Sequence, residues 1–600
     1  MVEQMRSLAA EVGEAVRAAL SAVVSPELAS EDPLVRRSEH ADYQANVALS
    51  LAKRLGRNPR ELATALREEL TGRPWIASVE VSGPGFLNVT LSGPALLGRL
   101  AARYEDARLG VPLSQAGQTA VIDYSGPNVA KEMHVGHLRS TLIGDALART
   151  LSFLGARVVR QNHVGDWGTQ FGMLIQYLFE HPEAAWRDKE VRQEGEGSRT
   201  GGAVSALDAL YRAARREFDA DPAFKERAQR RVVALQSGDE ETVGAWREIV
   251  AESEGAFQQI YERLGVLLTR DDVLGESFYN PWLHEVVDEL RDKGVLEDSE
   301  GAKAVFFEDI LGPEDRPVPL LVQKSDGGFG YAATDLATIR HSIREFGGTR
   351  LIYVVDARQS QHFAMIFRTA RRAGWLTDGI EAVHAANGTI NGPDGRPFKT
   401  RSGGTVRLAD LLDDALNRAR EVIAEKDPDL SRDELESVAH FAAVGAVKYA
   451  ELSTSRTKDY SFDVTRMLSF NGQTGVYLQY THTRIASILR KAEAAGLGRG
   501  RFGTGDAGPA LEPEEHALGL ALDEFGATLD AVAVALEPHQ LAGYLYGLAR
   551  AFTAFYESCP VLREDVAPEI RDNRLALCDL TRATLAQGLD LLGIAALERM

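Results

Sequence analysis

The sequence predicts an α/β protein whose central part is a doubly wound, Rossmann-like parallel sheet, with a small α+β domain before it and an all-helical domain after it. Three observations support this prediction. A strand, a polar loop, a helix and a second strand follow one another from residue 119, which is the order of a βαβ unit. Strand and helix signals alternate again over residues 304–386. After about residue 405 the periodicity is almost wholly helical.

Residues 1–115 are predicted to form the small α+β domain. One helical stretch is expected over residues 43–70, after a helix nearer the N-terminus. Residues 75–91 alternate as short strands around a glycine-containing turn. Residues 1–30 are predicted to contain a helix because apolar side chains recur there every three to four residues, namely Leu8, Val12, Val16, Leu20 and Val23.

Residues 116–405 are predicted to form the doubly wound domain. Its first strand is expected at 119–124, its first helix at about 135–154 and its second strand at 157–163. Residues 181–262 are charged and helical, and they are interpreted as an insertion that splits the sheet into two halves. The second half is predicted to contain a helix at 335–346 and strands at 304–307, 320–323, 350–356 and 381–386. Residues 406–600 are predicted to form the helical domain, with a glycine-rich linker at 496–508.

Composition excludes several classes of protein. Only two cysteines occur in 600 residues, so a four-cysteine zinc site and a disulfide framework are both excluded. No run approaches the roughly 20 apolar residues of a membrane span, and the mixed charges near the N-terminus are unlike a targeting peptide. We therefore expect a cytoplasmic protein with no membrane partner and no structural zinc. The net charge of −20 argues against a polyanion as partner, although a total can hide local basic patches.

The loop at residues 125–137 leaves the first predicted strand and opens a helix. Such a helix N-terminus at the carboxyl end of a parallel strand favours phosphate, because its backbone N–H groups are unpaired and its dipole is positive there. His134 and His137 lie on one face of the first turn, and Gly136 between them leaves room for a nucleotide. A histidine pair in a helix is more often structural packing, but this strand–loop–helix context favours a phosphate site.

The four residues 134–137 resemble the His-Ile-Gly-His signature of class I aminoacyl-tRNA synthetases. Further stretches are similar to the arginyl-tRNA synthetases of that class, and they occur in the same order along the chain at 128–144, 162–172, 275–279, 331–335 and 398–404. A four-residue signature alone is weak evidence, whereas these stretches together are specific. The resemblance extends from the N-terminal domain to the C-terminus.

The resemblance implies an enzyme that activates L-arginine with ATP and transfers it to the 3′-terminal ribose of tRNA(Arg). The catalytic residues it implies are His134, His137 and Lys131. Those implied to bind ATP are Gly136, His163, Gly168, Lys399 and Thr400. Those implied to bind arginine are Ser125, Asn128, Glu276, Tyr331, Asp335 and Gln359. Carboxylates such as Glu276 and Asp335 suit a guanidinium, since they accept its forked N–H donors.

The sequence departs from the class I pattern in a second loop. That loop usually reads Lys-Met-Ser-Lys-Ser and its lysines hold pyrophosphate, but here Pro397 and Thr400 stand where those lysines would be. Many arginyl enzymes without the loop lysine carry one just before the histidine signature, where this chain has Lys131. We therefore expect Lys131 to supply the missing charge, with Lys399 as a second candidate.

The resemblance also assigns RNA contacts to the outer domains. In this family the N-terminal domain reaches the corner of the tRNA formed by its D-loop, and residues 53–73 hold six basic side chains that are either an RNA-facing surface or a solvated helix face. The C-terminal region resembles a helical anticodon-binding domain. Its expected tRNA contacts are Tyr477, Tyr480, Arg484 and Arg490, although each tyrosine is as readily explained as helix core.

Three further expectations and two alternatives complete the prediction. The family is commonly monomeric, Mg²⁺ is expected to accompany ATP, and no carboxylate cluster points to a metal held by the protein itself. A small nucleotidyltransferase sharing the histidine signature would not need the long helical C-terminal region. A non-catalytic tRNA-binding paralogue is the alternative that stays open, although such a protein would not be expected to keep both the histidines and the two carboxylates.

Overall fold

The computed structural model describes residues 6–183, 202–311, 317–392, 395, 398, 406–503 and 509–600. Lys399 and Thr400 of the second predicted ATP loop lie outside these residues, as does part of the predicted insertion. Within the described residues, none of the helices combines the length and the apolar character needed to cross a membrane.

The N-terminal unit is a four-stranded antiparallel sheet covered by helices. Its strands are β1 (Val35–Arg37), β2 (Tyr43–Ala45), β3 (Ile76–Ser82) and β4 (Phe86–Leu91), and they are arranged in the order β1-β2-β4-β3. The prediction of a helix over residues 43–70 was wrong at its start, where the N-terminal unit has a strand. In that strand Tyr43 and Ala45 are buried and Gln44 is not, which is the alternation expected of a strand. Its elements are α1 Leu8–Val23, a 3₁₀ turn Pro26–Ser30, β1 Val35–Arg37, β2 Tyr43–Ala45, α2 Val47–Leu55, α3 Pro59–Leu70, β3 Ile76–Ser82, β4 Phe86–Leu91 and α4 Gly93–Glu105.

The central unit contains the predicted parallel sheet. Its strands β5 (Thr119–Asp123), β6 (Arg157–Gln161), β10 (Arg350–Tyr353) and β11 (Glu381–His384) are arranged in the order β11-β10-β5-β6. Its first half consists of β5 Thr119–Asp123, α5 Val135–Phe153, β6 Arg157–Gln161, α6 Thr169–Glu180, α7 Gly202–Ala220, α8 Pro222–Ser237 and α9 Glu240–Leu264. Its second half consists of 3₁₀ turns Arg270–Asp272, Glu276–Trp282 and Ala357–Gln359, with α10 Leu283–Asp292, β7 Glu297–Ser299, β8 Ala302–Val305, β9 Leu320–Gln323, α11 Tyr331–Arg344, β10 Arg350–Tyr353, α12 Ser360–Arg372, β11 Glu381–His384 and β12 Ile390–Asn391.

Two predicted strands lie outside the parallel sheet. β8 and β9 form a separate antiparallel sheet with β7, in the order β7-β8-β9, so placing them in one doubly wound sheet was wrong. The reason is local, because only Glu300 and Gly301 separate β7 from β8, and both have positive φ (51° and 82°). Such a turn closes a hairpin and cannot supply the long crossover that parallel pairing requires.

The C-terminal unit is helical, as predicted, apart from a two-residue strand that pairs with β12. Its elements are α13 Leu408–Lys426, α14 Arg432–Leu452, β13 Tyr460–Ser461, α15 Val464–Met467, α16 Gly475–Ala494, α17 Pro513–Asp523, α18 Phe525–Ala535, α19 His539–Ser558 and α20 Pro568–Leu591.

Buried polar contacts fasten the three units together. Arg103 at the end of α4 donates to the Asp523 carboxylate of α17 at 2.8 Å, and both side chains are buried. Arg139 of α5 makes an equally buried pair with Glu451 of α14 at 2.8 Å. Because breaking a buried pair leaves an uncompensated charge, these contacts fix how α4 and α5 sit on the C-terminal helices.

Candidate functional site

The candidate site lies at the carboxyl edge of the parallel sheet. In the sheet, β6 pairs with β5 on one side and β10 pairs with β5 on the other side. The connections therefore leave the sheet in opposite directions at this point, and they open a crevice beyond the strand ends. The side chains that the sequence predicts for the site lie mostly in the loops along this crevice.

The loop after β5 is held by helix α9 of the predicted insertion. Ser125 has a positive φ of 77°, and its hydroxyl lies 2.8 Å from the Tyr261 hydroxyl and accepts from Thr141 at 2.9 Å. Ala130, with φ of 63°, donates its N–H to the Ser253 hydroxyl at 3.0 Å. Non-glycine residues at positive φ persist only where their surroundings hold them, so α9 is part of the site's scaffold.

Two segments, one with Gly165 and one with Glu276, lie beside this loop and contribute to the predicted arginine pocket. Asn128 is exposed and pairs with Gly165 through the backbone. A Cβ on Gly165 would lie 2.5 Å from the Asn128 amide oxygen, so glycine at this position leaves room for the Asn128 side chain. The Glu276 N–H donates to the Val164 carbonyl at 3.1 Å. Asn128 and Glu276 are therefore brought to one side of the crevice.

The two signature histidines cap helix α5. The Nδ1 atom of His134 accepts the Gly136 N–H at 3.1 Å, and the Nδ1 atom of His137 accepts the His134 N–H at 3.0 Å. The ring centroids are 3.9 Å apart. Because both Nδ1 atoms accept, a neutral ring carries its proton on Nε2 and has that N–H left as a donor.

Burial keeps both imidazoles uncharged. It is the main cause that lowers the pKa of His134, and the charges of Lys131 and Arg358 act in the same direction. Burial and the neighbouring His134 lower the pKa of His137 to about 3. The turn therefore offers two neutral N–H donors near neutral pH, and cationic charge has to come from a residue such as Lys131.

Carboxylates gather around Glu276 in the same crevice. Burial and the charges of Asp166 and Asp335 raise the pKa of Glu276 to about 8. Burial also raises the pKa of Asp123 to about 6, where Asp335 acts in the same direction and His163 opposes it. Asp335 thus lies within electrostatic reach of both Asp123 and Glu276, and such a group is a natural site for a cation.

Asp166 sets the position of Glu276. Its carboxylate accepts from the Ser277 N–H at 2.8 Å and from the Ser277 hydroxyl at 2.5 Å. A Cβ on Gly275 would lie 2.5 Å from Asp166, so glycine is required just before Glu276. The 3₁₀ turn that carries Glu276 is therefore fixed by the segment that follows β6.

The other residues predicted to bind ATP lie along the same edge. The His163 ring stacks on Tyr279 with centroids 5.6 Å apart, and its buried Nδ1 has no hydrogen-bond partner among the described residues. Gly168 precedes α6 with a φ of 118°, a backbone conformation that favours glycine. Neither observation assigns these residues a ligand, and their role in binding ATP stays a prediction.

Lys131 and the outer residues of the predicted arginine pocket lie at the entrance to the crevice. The Lys131 amine lies 4.7 Å from the centroid of the Tyr211 ring on α7. Tyr331 begins α11 and is 71% exposed, and Gln359, just before α12, is also exposed. Asp335, one turn after Tyr331, accepts from the Nε2 atom of His362 at 2.6 Å.

The segment that follows the second predicted ATP loop returns to the histidine turn. Val135 donates its N–H to the Val406 carbonyl at 3.0 Å, and Leu408 donates to the Met133 carbonyl at 2.9 Å. Phe398, just before Lys399, stacks on Phe462 with centroids 5.9 Å apart. The backbone on the C-terminal side of this loop is therefore paired with the segment that carries His134.

The four C-terminal residues predicted to contact tRNA lie on α16. Tyr477 and Tyr480 are half-buried, with ring contacts to Tyr546 and Phe470. Arg484 lies over the Tyr556 ring at 4.5 Å. The exposed Arg490 donates to the Glu598 carbonyl at 3.0 Å, and those four side chains therefore have contacts within the protein.

Several residues of the site were not predicted from the sequence. Asp123, Tyr261, Ser253 and His362 are in this group, and Asp166 enters the sequence analysis only as part of the stretch 162–172 that resembles the arginyl-tRNA synthetases. Asp123 ends β5, and the polar last residue of a buried parallel strand is a usable signal. Contacts from α9 and α12 are long-range, and no local pattern reveals them. The described residues contain no group of three or more histidine, cysteine, aspartate or glutamate side chains arranged to hold a metal ion.

Three protein-family models match the chain. The model described as tRNA synthetases class I (R), catalytic domain, matches residues 102–464. The arginyl tRNA synthetase N terminal domain model matches residues 10–91, and the DALR anticodon binding domain model matches residues 478–600.

Curated relatives and solved structures agree with these models over the whole chain. The arginine–tRNA ligase of Frankia casuarinae is 60% identical over 600 residues, covering 100% of both chains. That of Streptomyces avermitilis is 52% identical over 603 residues, covering 99% of each. The arginyl-tRNA synthetase of Plasmodium falciparum has a TM-score of 0.82 at 27% identity, covering 100% of both chains. That of Thermus thermophilus has a TM-score of 0.79 at 26% identity, covering 99% of this chain and 100% of the other.

Substitution of Gly136 tests the geometry of the histidine turn. A Cβ there would lie 2.8 Å from Cε1 of His134, so we expect Gly136→Ala to displace the ring and break its capping bond. The control is Gly543→Ala on α19, where the glycine is also exposed and a Cβ meets nothing within 4 Å. Alanine in an exposed helix interior gains about 0.5–1 kcal/mol over glycine, whereas loss of a cap costs about 1 kcal/mol. Thermal unfolding should therefore show a gain for the control and none for Gly136→Ala, and equal gains would contradict the capping role.

Proposed function

The chain belongs to the class I arginyl-tRNA synthetases, and on that premise we propose that it joins L-arginine to tRNA(Arg) in two steps. In the first step the arginine carboxylate attacks the α-phosphate of ATP, which gives arginyl-adenylate and releases pyrophosphate. In the second step a hydroxyl of the 3′-terminal ribose of the tRNA attacks the arginyl carbonyl and AMP leaves. The 2′-hydroxyl is the expected acceptor by analogy with other class I enzymes.

One observation carries the proposal. A helix-capping histidine pair with free N–H donors and a group of carboxylates without a paired guanidinium or ammonium among the described residues lie along the same edge of one parallel sheet. The histidine pair suits a triphosphate, and the carboxylates suit a cationic amino acid side chain. In-line attack on phosphorus needs both reactants held together, and the protein contributes mainly position and charge in such a step.

We propose that His134 and His137 donate to the α-phosphate region through their Nε2 atoms. Both imidazoles are neutral near pH 7, so they stabilise developing negative charge as hydrogen-bond donors and not as cations. Lys131 is proposed to supply the positive charge near the departing pyrophosphate, with Lys399 as the second candidate. Gly136, His163, Gly168 and Thr400 complete the proposed ATP site.

We propose that Glu276 and Asp335 receive the arginine guanidinium. Two carboxylates can accept several of its five N–H donors, whereas lysine's ammonium would leave acceptors unpaired. Tyr331 and Gln359 at the entrance and Asn128 at the inner edge are proposed to complete the pocket. The Ser125 hydroxyl is already bonded to Tyr261 and Thr141, so we assign Ser125 a part in shaping the loop as well as its proposed place at the arginine site.

Mg²⁺ is proposed to enter with ATP. The described residues offer no cluster that would hold the ion alone, and a magnesium ion coordinated largely by triphosphate oxygens and water needs few protein ligands. The ion would neutralise phosphate charge during activation.

The outer units are proposed to bind the tRNA. Residues 1–115 would meet its corner and D-loop, residues 116–405 its acceptor end, and residues 406–600 its anticodon arm. Tyr477, Tyr480, Arg484 and Arg490 on α16 are the proposed contacts of the last unit, and Arg490 would exchange its bond to Glu598 for the RNA. We also propose that the enzyme acts as a cytoplasmic monomer. The non-catalytic alternative is disfavoured because the chain has both the histidine pair and the carboxylates of the site.

The direct test is ATP–pyrophosphate exchange with each amino acid in turn, with and without tRNA(Arg). We expect exchange with arginine alone. Exchange with another amino acid instead of arginine would contradict the proposed specificity, and no exchange with any amino acid in the presence of tRNA would favour the non-catalytic alternative. Exchange with arginine in the absence of tRNA would show only that activation does not require tRNA.

Substitution of Lys131 tests the source of positive charge. Lys131→Ala should lower arginine-dependent exchange by on the order of 10²-fold, since it removes a charge expected to act on the phosphates in the transition state. The matched control is Lys303→Ala, which removes a lysine paired with Asp298 on the β7–β8 hairpin. The control should stay within twofold of wild type. If Lys131→Ala also stays within a few-fold of wild type, the assignment is wrong.

A further inference from the structure

We propose that His362 is a positioning residue for arginine recognition: it orients the Asp335 carboxylate so that the pocket accepts a guanidinium and discriminates against an ammonium. The inference rests on the proposed function, because it assigns a partner to one of the two carboxylates proposed to receive arginine. His362 itself is not expected to touch the substrate.

Two helices of the central unit bring these side chains together. Asp335 lies in the first turns of α11, one turn after Tyr331, and His362 is the third residue of α12, three residues after Gln359. The Nε2 atom of His362 lies 2.6 Å from Oδ2 of Asp335. The bond therefore links the two helix ends that carry the outer residues of the predicted arginine pocket.

The chemistry of the contact determines its direction. A carboxylate only accepts, so Nε2 of His362 carries the proton and donates it to Oδ2. Oδ1 of Asp335 has no partner among the described side chains and is left for a substrate N–H. With 22% and 27% of their side chains exposed, Asp335 and His362 lie at the pocket wall, where a ligand can reach the carboxylate.

The His362 ring lies beside a fixed aromatic stack. It meets the ring of the next residue, Phe363, edge-on with centroids 5.7 Å apart. Phe363 is buried and stacks on His384 at 4.9 Å, and Nε2 of His384 donates to the Val355 carbonyl at 3.0 Å. These contacts tie the start of α12 to the ends of β10 and β11, so Nε2 of His362 is presented from a well-supported position.

Electrostatics explain why Asp335 needs a partner. Its charge acts on both Glu276 and Asp123, and repulsion from the ionised Asp123 favours turning the Asp335 carboxylate away from it. A hydrogen bond from His362 opposes that rotation. His362 is the side chain that hydrogen-bonds to Asp335 within the described part of the chain.

The orientation of the Asp335 carboxylate determines how well the pocket distinguishes a guanidinium from an ammonium. A guanidinium presents its N–H donors in a planar fork, and it gains most from a carboxylate whose plane is already set. An ammonium is a compact charge with rotating donors, and it pairs nearly as well with a carboxylate that turns freely. A held Asp335 therefore favours arginine over lysine more than a free Asp335 would.

The test compares three variants of the full-length protein. His362→Leu removes the donor, His362→Gln keeps an amide N–H at about the reach of Nε2, and His362→Asn keeps the amide but is too short to reach. The matched control is His539→Leu, because His539 makes a similar contact with Glu537 at 2.8 Å outside the site. Calorimetry gives the Kd values for arginine, lysine and ATP, and exchange kinetics give the KM values for arginine and ATP.

We expect His362→Leu and His362→Asn to weaken arginine binding by about 10- to 100-fold, the usual effect of losing a charge-assisted hydrogen bond. The Kd for ATP should stay within twofold, the preference for arginine over lysine should fall, and His362→Gln should recover arginine binding to within about fivefold of wild type. The control should match wild type in every constant. If His362→Leu does not fold, the contrast between the glutamine and asparagine variants carries the test.

Three outcomes would overturn the inference. One is a change of less than threefold in arginine binding in both His362→Leu and His362→Asn. Another is an equal loss of arginine and ATP binding, which would indicate a role limited to holding the two helices. The third is a glutamine variant no better than the asparagine variant. Wild-type protein that binds no arginine would instead contradict the proposed function itself.

Discussion

The site depends on one electrostatic constraint: carboxylates are held close together, and partly buried, at the carboxyl edge of the parallel sheet. The charge of Asp335 raises the pKa values of both Asp123 and Glu276, and Asp166 adds its charge to Glu276. Carboxylates held in this way either take up protons or bind a cation. Neighbouring residues hold these carboxylates in place. One of them is Gly275, whose lack of a side chain lets Asp166 approach the 3₁₀ turn of Glu276.

The side of the site that is proposed to bind phosphate is built from neutral groups. Its two histidines are kept neutral by burial, and their Nδ1 atoms are used to cap α5, so that their Nε2 atoms are directed by the helix itself. That helix is anchored to the C-terminal unit through the buried Arg139–Glu451 pair. Lys448 of α14 reinforces the anchor, since its amine donates to the Gly593 carbonyl at 2.7 Å and lies near Asp145 of α5. The histidine turn is thus joined through α5 to the unit proposed to hold the anticodon arm.

Local patterns in the sequence predicted much of this arrangement. The strand, loop and helix around residues 119–154 are correct to within one residue because hydrophobic runs, a glycine stop and a helix-start loop all act locally. The three-stranded antiparallel sheet was missed because a two-residue hairpin decided the pairing of β8, and its apolar run alone does not reveal a partner.

The site was predicted less completely than the fold. The signature histidines and Glu276 lie in recognisable stretches, and the structure brings Glu276 and Asp335 within electrostatic reach, as the resemblance implied. The supports contributed by α9 and α12 depend on contacts between residues far apart in the chain, such as Ser125 with Tyr261 or Asp335 with His362. Neither spacing nor composition encodes such contacts directly, so only the folded structure shows them.

The most direct measurement of the central claim is the number of protons released when arginine binds. With a pKa of about 8, Glu276 is mostly protonated in the free protein at pH 7, and a guanidinium should stabilise its charged form. Calorimetry in two buffers of different ionisation enthalpy should therefore detect release of about 0.9 proton at pH 7 and about 0.1 at pH 9, with affinity weakening as pH falls below 8. Glu276→Gln should abolish most of the release. Binding of arginine at pH 7 without proton release would contradict the claim that the guanidinium neutralises this carboxylate group.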